Sequence, residues 1–279
     1  MLIIKTVDEL KDVLFRVKSS GKIVGFVPTM GALHAGHLSL LEKAKSENNV
    51  LVCSIFVNPI QFNNKQDLEK YPRNVEKDIN YIEDLVDILF LPSEEEVFPS
   101  APTEKFDFGK LESVLEGKYR PGHFNGVATI VKRLFDWIKP EKAYFGEKDY
   151  QQLVIIRELV RQFNLPVQIV ACPTVREPGG LAISSRNARL SPEEYKIAPC
   201  IYQILLSLPP KTTLSVSELK QYAISEIEKI KEFKLEYLEI VNAKTLQPIT
   251  NFDDAEKVIC CVALYLGEVR LIDNIFLKK

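Results

Sequence analysis

Long apolar runs are missing from this chain. No stretch of about 18 residues is apolar throughout, so no membrane partner is expected. The opening MLIIKTVDEL turns polar too early for a signal peptide, and no N-x-S/T sequon occurs. Cysteine is scarce: Cys53, Cys172, Cys200, Cys260 and Cys261 make an odd set of five without a C-x-x-C pair. That excludes a disulfide framework and a zinc pattern, and leaves them as small buried hydrophobes. An excess of either charge is also lacking, with 36 Lys plus Arg against 38 Asp plus Glu and a net charge of −2. A nucleic-acid partner would call for a more basic chain, so none is expected. Neither common nucleotide loop, G-x-G-x-x-G or G-x-x-x-x-G-K-[ST], is present. Together these absences point to a protein of the cytoplasm.

What remains is an ordinary globular composition, 46% hydrophobic and 27% charged over 279 residues. At about 150 residues per domain, that length suggests two domains. Residues 1–175 alternate short apolar runs with helical periodicity. Strands are predicted over 23–27, 50–57, 87–91, 143–145 and 167–171. Helices are predicted over 6–18, 37–47, 126–138 and 149–163. Such alternation implies an α/β, doubly wound, Rossmann-like parallel sheet. Residues 176–279 read differently. Ser191-Pro192-Glu193-Glu194 and Ser215 to Glu218 start helices, and strand-like runs follow over 234–241, 257–266 and 269–276. The turn at Leu266-Gly267-Glu268 makes the last two a hairpin. This second domain is expected to be a smaller C-terminal α+β lid.

Ligands of open α/β sheets bind beyond the carboxyl ends of the strands. That rule selects residues 28–37, 58–62, 146–152 and 173–187, all rich in Gly, polar and charged residues. Two of the three histidines, His34 and His37, share the first of these segments, and His123 lies in the turn-like RPGHF. His37 is expected to open a helix, where unsatisfied N–H groups and the helix dipole favour an anion. His34 can reach the same place, and Gly31 and Gly36 permit close backbone approach. Two imidazoles there can neutralise charge building up in phosphoryl transfer. A metal centre is the weaker reading, since no third His, Cys or carboxylate shares the turn. Lys148 can hold a phosphate as a point charge. Ser184, Ser185 and Arg186 offer hydroxyls and a guanidinium to phosphate oxygens, although each also reads as a plain surface residue. The carboxamides of Gln61 and Gln152 suit a substrate with hydroxyls and a carboxylate.

The segments PTMGALHAGHLSL, SIFVNPIQF, YPR at 71–73, EGKYRPGHFNGV, AYFGEKDYQQL and PTVRE…GLAISSRN occur in this order. With them, most of residues 22–190 resembles the pantoate–β-alanine ligase family, the pantothenate synthetases of the HxGH nucleotidyltransferase superfamily. The resemblance implies a cytoplasmic homodimer that uses ATP, (R)-pantoate and β-alanine to make pantothenate, AMP and pyrophosphate through a pantoyl-adenylate. It implies an ATP site lined by Met30, Gly31, Ala32, Leu33, His34, Ala35, Gly36 and His37, with His37 as proton donor. Gly146, Glu147, Lys148, Asp149, Val175, Ile183, Ser184, Ser185 and Arg186 would complete it, and Mg²⁺ would arrive chelated by ATP. Gln61 would meet pantoate and β-alanine, and Gln152 pantoate. His34, Lys148 and Arg186 would join His37 in catalysis. Two positions depart from the family pattern: Gly179 replaces an Asp, and Ile183 a Leu or Met. Arg120 and His123 could touch a ligand or brace a turn. The competing functions are a simple HxGH nucleotidyltransferase and a non-catalytic nucleotide-binding protein.

Overall fold

A computed structural model describes residues 1–211 and 213–278. The predicted parallel sheet is present and has six strands: β1 (Leu2–Ile4), β2 (Val24–Thr29), β3 (Val50–Ile55), β4 (Ile88–Phe90), β5 (Lys142–Gly146) and β6 (Gln168–Cys172). Their order is β1-β4-β3-β2-β5-β6, and every neighbouring pair is parallel. Five of these strands match the predicted runs, with ends displaced by no more than two residues. The edge strand β1 escaped prediction because three residues carry no periodicity.

Apolar side chains project from both faces of the sheet, as a doubly wound fold requires. On one face Val27, Leu51, Cys53 and Leu89 pack against Leu40, Leu41 and Ala44 of the helix Ala35–Glu47. On that face too, Ile82 of the helix Val75–Ile82 joins the cluster. On the other face Phe26 meets Phe135 edge-on at 6.3 Å and Phe90 meets Trp137 at 6.1 Å, both partners standing on the helix His123–Ile138.

The chain forms two compact units. The first comprises Met1–Phe108, Arg120–Glu147 and Gln152–Pro173. The second comprises Gly109–Tyr119, Lys148–Gln151 and Thr174–Lys279. Within the second unit, β7 (Phe233–Asn242), β8 (Val258–Leu266) and β9 (Val269–Lys278) form an antiparallel sheet in the order β7-β8-β9. The helices Cys200–Leu206 and Val216–Glu228 supply Ile201, Leu205, Leu219, Ala223 and Ile227 to its core. The two predicted helix starts are reciprocal capping boxes, Ser191 with Glu194 and Ser215 with Glu218.

Four cysteines are buried and Cys200 is half-buried. Burial pushes the Cys53 thiol up to about 12 and Cys172 to about 11, so neither is poised as a nucleophile. Among the described residues no helix is long and apolar enough to cross a membrane.

Candidate active site

The sheet order reverses between β2 and β5, which leave in opposite directions along the sheet. Gly25 pairs with Lys142 and Phe26 with Ala143, and the same register carried forward sets Thr29 level with Gly146. The turns after these two strands therefore start side by side at the switch point, the place where such folds bind ligands. The first turn leads into the histidine helix, and the second carries Glu147 onward to the helix Tyr150–Gln162.

The histidine helix starts at Ala35, two residues before the expected position, so His37 stands in its first turn and does not open it. His34 is the N-cap: its Nδ1 accepts a hydrogen bond from the Gly36 N–H at 3.2 Å. Imidazole is an unusual cap, which is why the sequence pattern placed the start too late. Acceptance at Nδ1 leaves the proton of neutral His34 on Nε2. The two imidazoles lie with ring centroids 4.1 Å apart and planes inclined by 31°. They form one half-buried pair at the helix end.

Gln61 is tied to this turn. It is buried, and its Nε2 donates to Met30 Sδ at 3.0 Å. Its Oε1 accepts from Asn58 Nδ2 at 2.9 Å, and Asn58 also donates to the Gly126 carbonyl at 3.0 Å. This fixes which end of the carboxamide points to Met30. His123 is not in a turn: it begins the helix His123–Ile138, is buried, and holds the Gln61 carbonyl through Nδ1 at 2.8 Å. Gly126 lets that helix approach, since a Cβ there would lie 2.6 Å from the Ile60 carbonyl oxygen. Thus RPGHFNGV braces the segment that carries Gln61. Gln152 is half-buried on the helix that follows β5, whereas its neighbour Gln151 is buried and donates to the Leu111 and Val114 carbonyls.

The other predicted residues belong to the second unit. Lys148 lies in the 3-10 turn Glu147–Asp149 ahead of the helix proper, with its side chain 19% exposed and Nζ 3.8 Å from Asp149 Oδ2. Ser184 caps the short helix Ser185–Arg189 by accepting the Arg186 N–H at 3.3 Å. Ile183 donates its N–H to the Val175 carbonyl at 3.0 Å, and Arg176 pairs with Ala182, so residues 175–183 form a small hairpin. A Cβ at Gly179 would meet Pro199 Cγ at 3.4 Å, an ordinary contact, so the departure from Asp is not forced by space.

Sequence reasoning did not find what secures these segments. The Arg176 guanidinium makes a two-pronged pair with Asp273, at 2.7 and 2.8 Å, and lies 3.6 Å from the Tyr202 ring centroid. Asn274 donates from Nδ2 to the Lys148 carbonyl at 3.0 Å. Two consecutive residues of β9 therefore hold both predicted phosphate-binding segments of this unit. Glu116, from the EGKY segment, pairs with Arg270 at 2.8 Å and accepts from the Tyr237 hydroxyl at 2.8 Å. Burial and the Glu116 charge keep that phenol well above its ordinary range, so it is a structural donor.

A family model described as pantoate-beta-alanine ligase matches residues 2–276. This chain belongs to the pantoate–β-alanine ligase family. A pantothenate synthetase of Azobacteroides pseudotrichonymphae is 52% identical over 278 residues, with 99% of each chain covered. One from Bacteroides thetaiotaomicron is 49% identical, with both chains covered in full. Among solved structures, the Thermus thermophilus pantothenate synthetase superposes with a TM-score of 0.93 at 44% identity over 100% of both chains. The Francisella tularensis ligase, described as complexed with beta-gamma ATP and beta-alanine, has a TM-score of 0.83 at 39% identity, covering 99% of this chain and 98% of that one. As a member of the pantoate–β-alanine ligase family, the chain is an ATP-using ligase and not a passive nucleotide binder.

Proposed function

We propose that this chain joins (R)-pantoate to β-alanine through a pantoyl-adenylate, releasing AMP and pyrophosphate. The observation that carries the reading is the Gln61–Met30 hydrogen bond, which fastens an acid-gripping carboxamide to the turn bearing both histidines. A simple nucleotidyltransferase has no use for that carboxamide.

A carboxylate is a poor acyl donor because oxide would have to leave. In the first step a pantoate carboxylate oxygen bonds to the α-phosphorus of ATP, and the α–β bridging oxygen departs with pyrophosphate. Negative charge gathers on the phosphoryl oxygens and the leaving group. His37 as proton donor, His34 through Nε2–H, Lys148 and Arg186 answer that charge. Met30 to His37, Gly146 to Asp149, Val175 and Ile183 to Arg186 hold the nucleotide. Ser184 Oγ, an acceptor toward Arg186, still has a hydrogen to give. In the second step the β-alanine amine bonds to the acyl carbon, the bond to AMP breaks, and the amine sheds a proton. Gln61 meets both acids and Gln152 meets pantoate.

Mg²⁺ would come chelated by ATP, and its charge would offset that of the phosphates. Water would destroy the adenylate. Residues 1–175 are therefore assigned the binding of ATP and pantoate, and residues 176–279 the part of a lid. A cytoplasmic homodimer completes the reading. The test is AMP release with each substrate omitted in turn: release requires pantoate, and steady turnover requires β-alanine. Turnover indifferent to pantoate would contradict the assignment.

A further inference from the structure

The turn leading to the histidines passes through two left-handed residues, Gly31 at φ 75° and Ala32 at φ 51°. Turns of this kind aim successive N–H groups into one concavity that suits an anion. Ala32 carries a Cβ, so its conformation is disfavoured unless something holds it. The anion in this concavity is a side chain of the protein. Asp78 Oδ2 accepts from the Ala32 N–H at 2.9 Å, and Oδ1 accepts from the Leu33 N–H at 2.7 Å. Asp78 is 4% exposed and stands on the helix Val75–Ile82. The preceding N–H, of Gly31, goes to Thr29 Oγ1 at 3.2 Å. A Cβ at position 31 would lie 2.9 Å from Asp78 Oδ2, so the carboxylate also occupies the space that only glycine leaves.

We infer that Asp78 is a positioning residue for the adenylation step, setting the turn that aims His34 and His37. It also takes the Ala32 and Leu33 N–H groups, so nucleotide phosphates find their backbone donors further along, at the start of the helix. Ala32 and Leu33 line the site by other atoms. The inference rests on the ligase reading for the identity of the ligand; the bracing rests on geometry. Two charge-assisted hydrogen bonds from one buried carboxylate fix a turn more firmly than neutral groups would. An amide at 78 has one acceptor oxygen and would turn an NH₂ group toward one of the two N–H donors. A small displacement of the histidines then costs rate out of proportion to its size.

The experiment is pantoate-dependent exchange of labelled pyrophosphate into ATP by the unaltered chain, D78N, D78A and the double variant A32G/D78N, with thermal unfolding of each. D78N and D78A should lose roughly 30-fold or more in exchange kcat while folded, with KM for pantoate within twofold. A32G should restore at least threefold to D78N, because glycine keeps a left-handed turn without a brace. Exchange within threefold of the unaltered chain in both single variants would overturn the inference. So would a loss carried wholly by KM for pantoate, or a D78N loss that A32G leaves unchanged. If neither single variant folds, residue-resolved amide exchange of the unaltered chain decides. Ala32 and Leu33 should be equally protected with and without ATP, and protection that appears only with ATP would overturn the proposal. Failure of the unaltered chain to show pantoate-dependent exchange strikes the ligase reading instead, and leaves the amide result to judge Asp78.

Discussion

Two sets of predicted site residues are secured by different physics. In the first unit, Gln61 and the histidine turn hang on a web of mostly neutral hydrogen bonds with Asn58, His123 and Met30, with one carboxylate, Asp78, at its edge. In the second, the hairpin before Ser184 is pinned by an ion pair between half-buried Arg176 and buried Asp273. Neutral webs hold direction at small cost when any one bond is lost. A buried ion pair resists breakage because each charge left alone is expensive. The first arrangement suits groups that must aim at a reacting atom. The second suits a segment that must stay whole as a body.

The largest effect should come from breaking the pair. Arg176→Ala leaves Asp273 buried without its guanidinium and should cost about 3–5 kcal/mol, read as a lowered midpoint in urea. A loss under about 1 kcal/mol would erase the contrast, since it is the value of an exposed pair. Next, His37→Ala or His34→Ala should lower turnover by ~10²-fold or more with little change in thermal stability. Turnover within threefold for both would remove them from the chemistry. Asn58→Ala should come third. It strips the Gln61 Oε1 and the Gly126 carbonyl of their donor, and a loss of about 1–2 kcal/mol raises KM for pantoate roughly tenfold.

The smallest effect concerns a site away from both regions. The Lys43 ammonium, helped by Tyr144 and Lys142, holds the Glu47 carboxyl at about 2 against an ordinary 4.5. A carboxyl made more acidic by folding stabilises the fold above its ordinary value, and that contribution fades as pH falls toward 2. Glu47→Gln should therefore lower the melting temperature at pH 7 by the equivalent of about 1 kcal/mol, the scale of a partly exposed pair. The gap from the unaltered chain should close progressively below pH 4.5.

Much of this was legible in the sequence because apolar periodicity and strand-end turns are local signals. Val50–Ile55 is buried along its whole length, and a central parallel strand announces itself in that way. The paired histidines follow β2 and Gln61 follows β3, the two strand ends to which the rule points. The supporting residues were invisible for a physical reason. Asp78 meets Ala32 across 46 positions, and Asp273 meets Arg176 across 97. Nothing local marks either carboxylate: VEKDINYI drew no prediction, and RLIDNIF lies within an ordinary predicted strand. His34 as cap was missed because imidazole rarely fills that place, whereas bracing was one of the two roles left open for His123, which holds the Gln61 carbonyl.

The account turns on adenylation being carried out at the histidine turn with pantoate present. Exchange of labelled pyrophosphate into ATP, measured without β-alanine, tests this most directly. The prediction is exchange that requires pantoate and falls ~10²-fold or more in His37→Ala. Exchange that proceeds without pantoate, or that His37→Ala leaves intact, would contradict it.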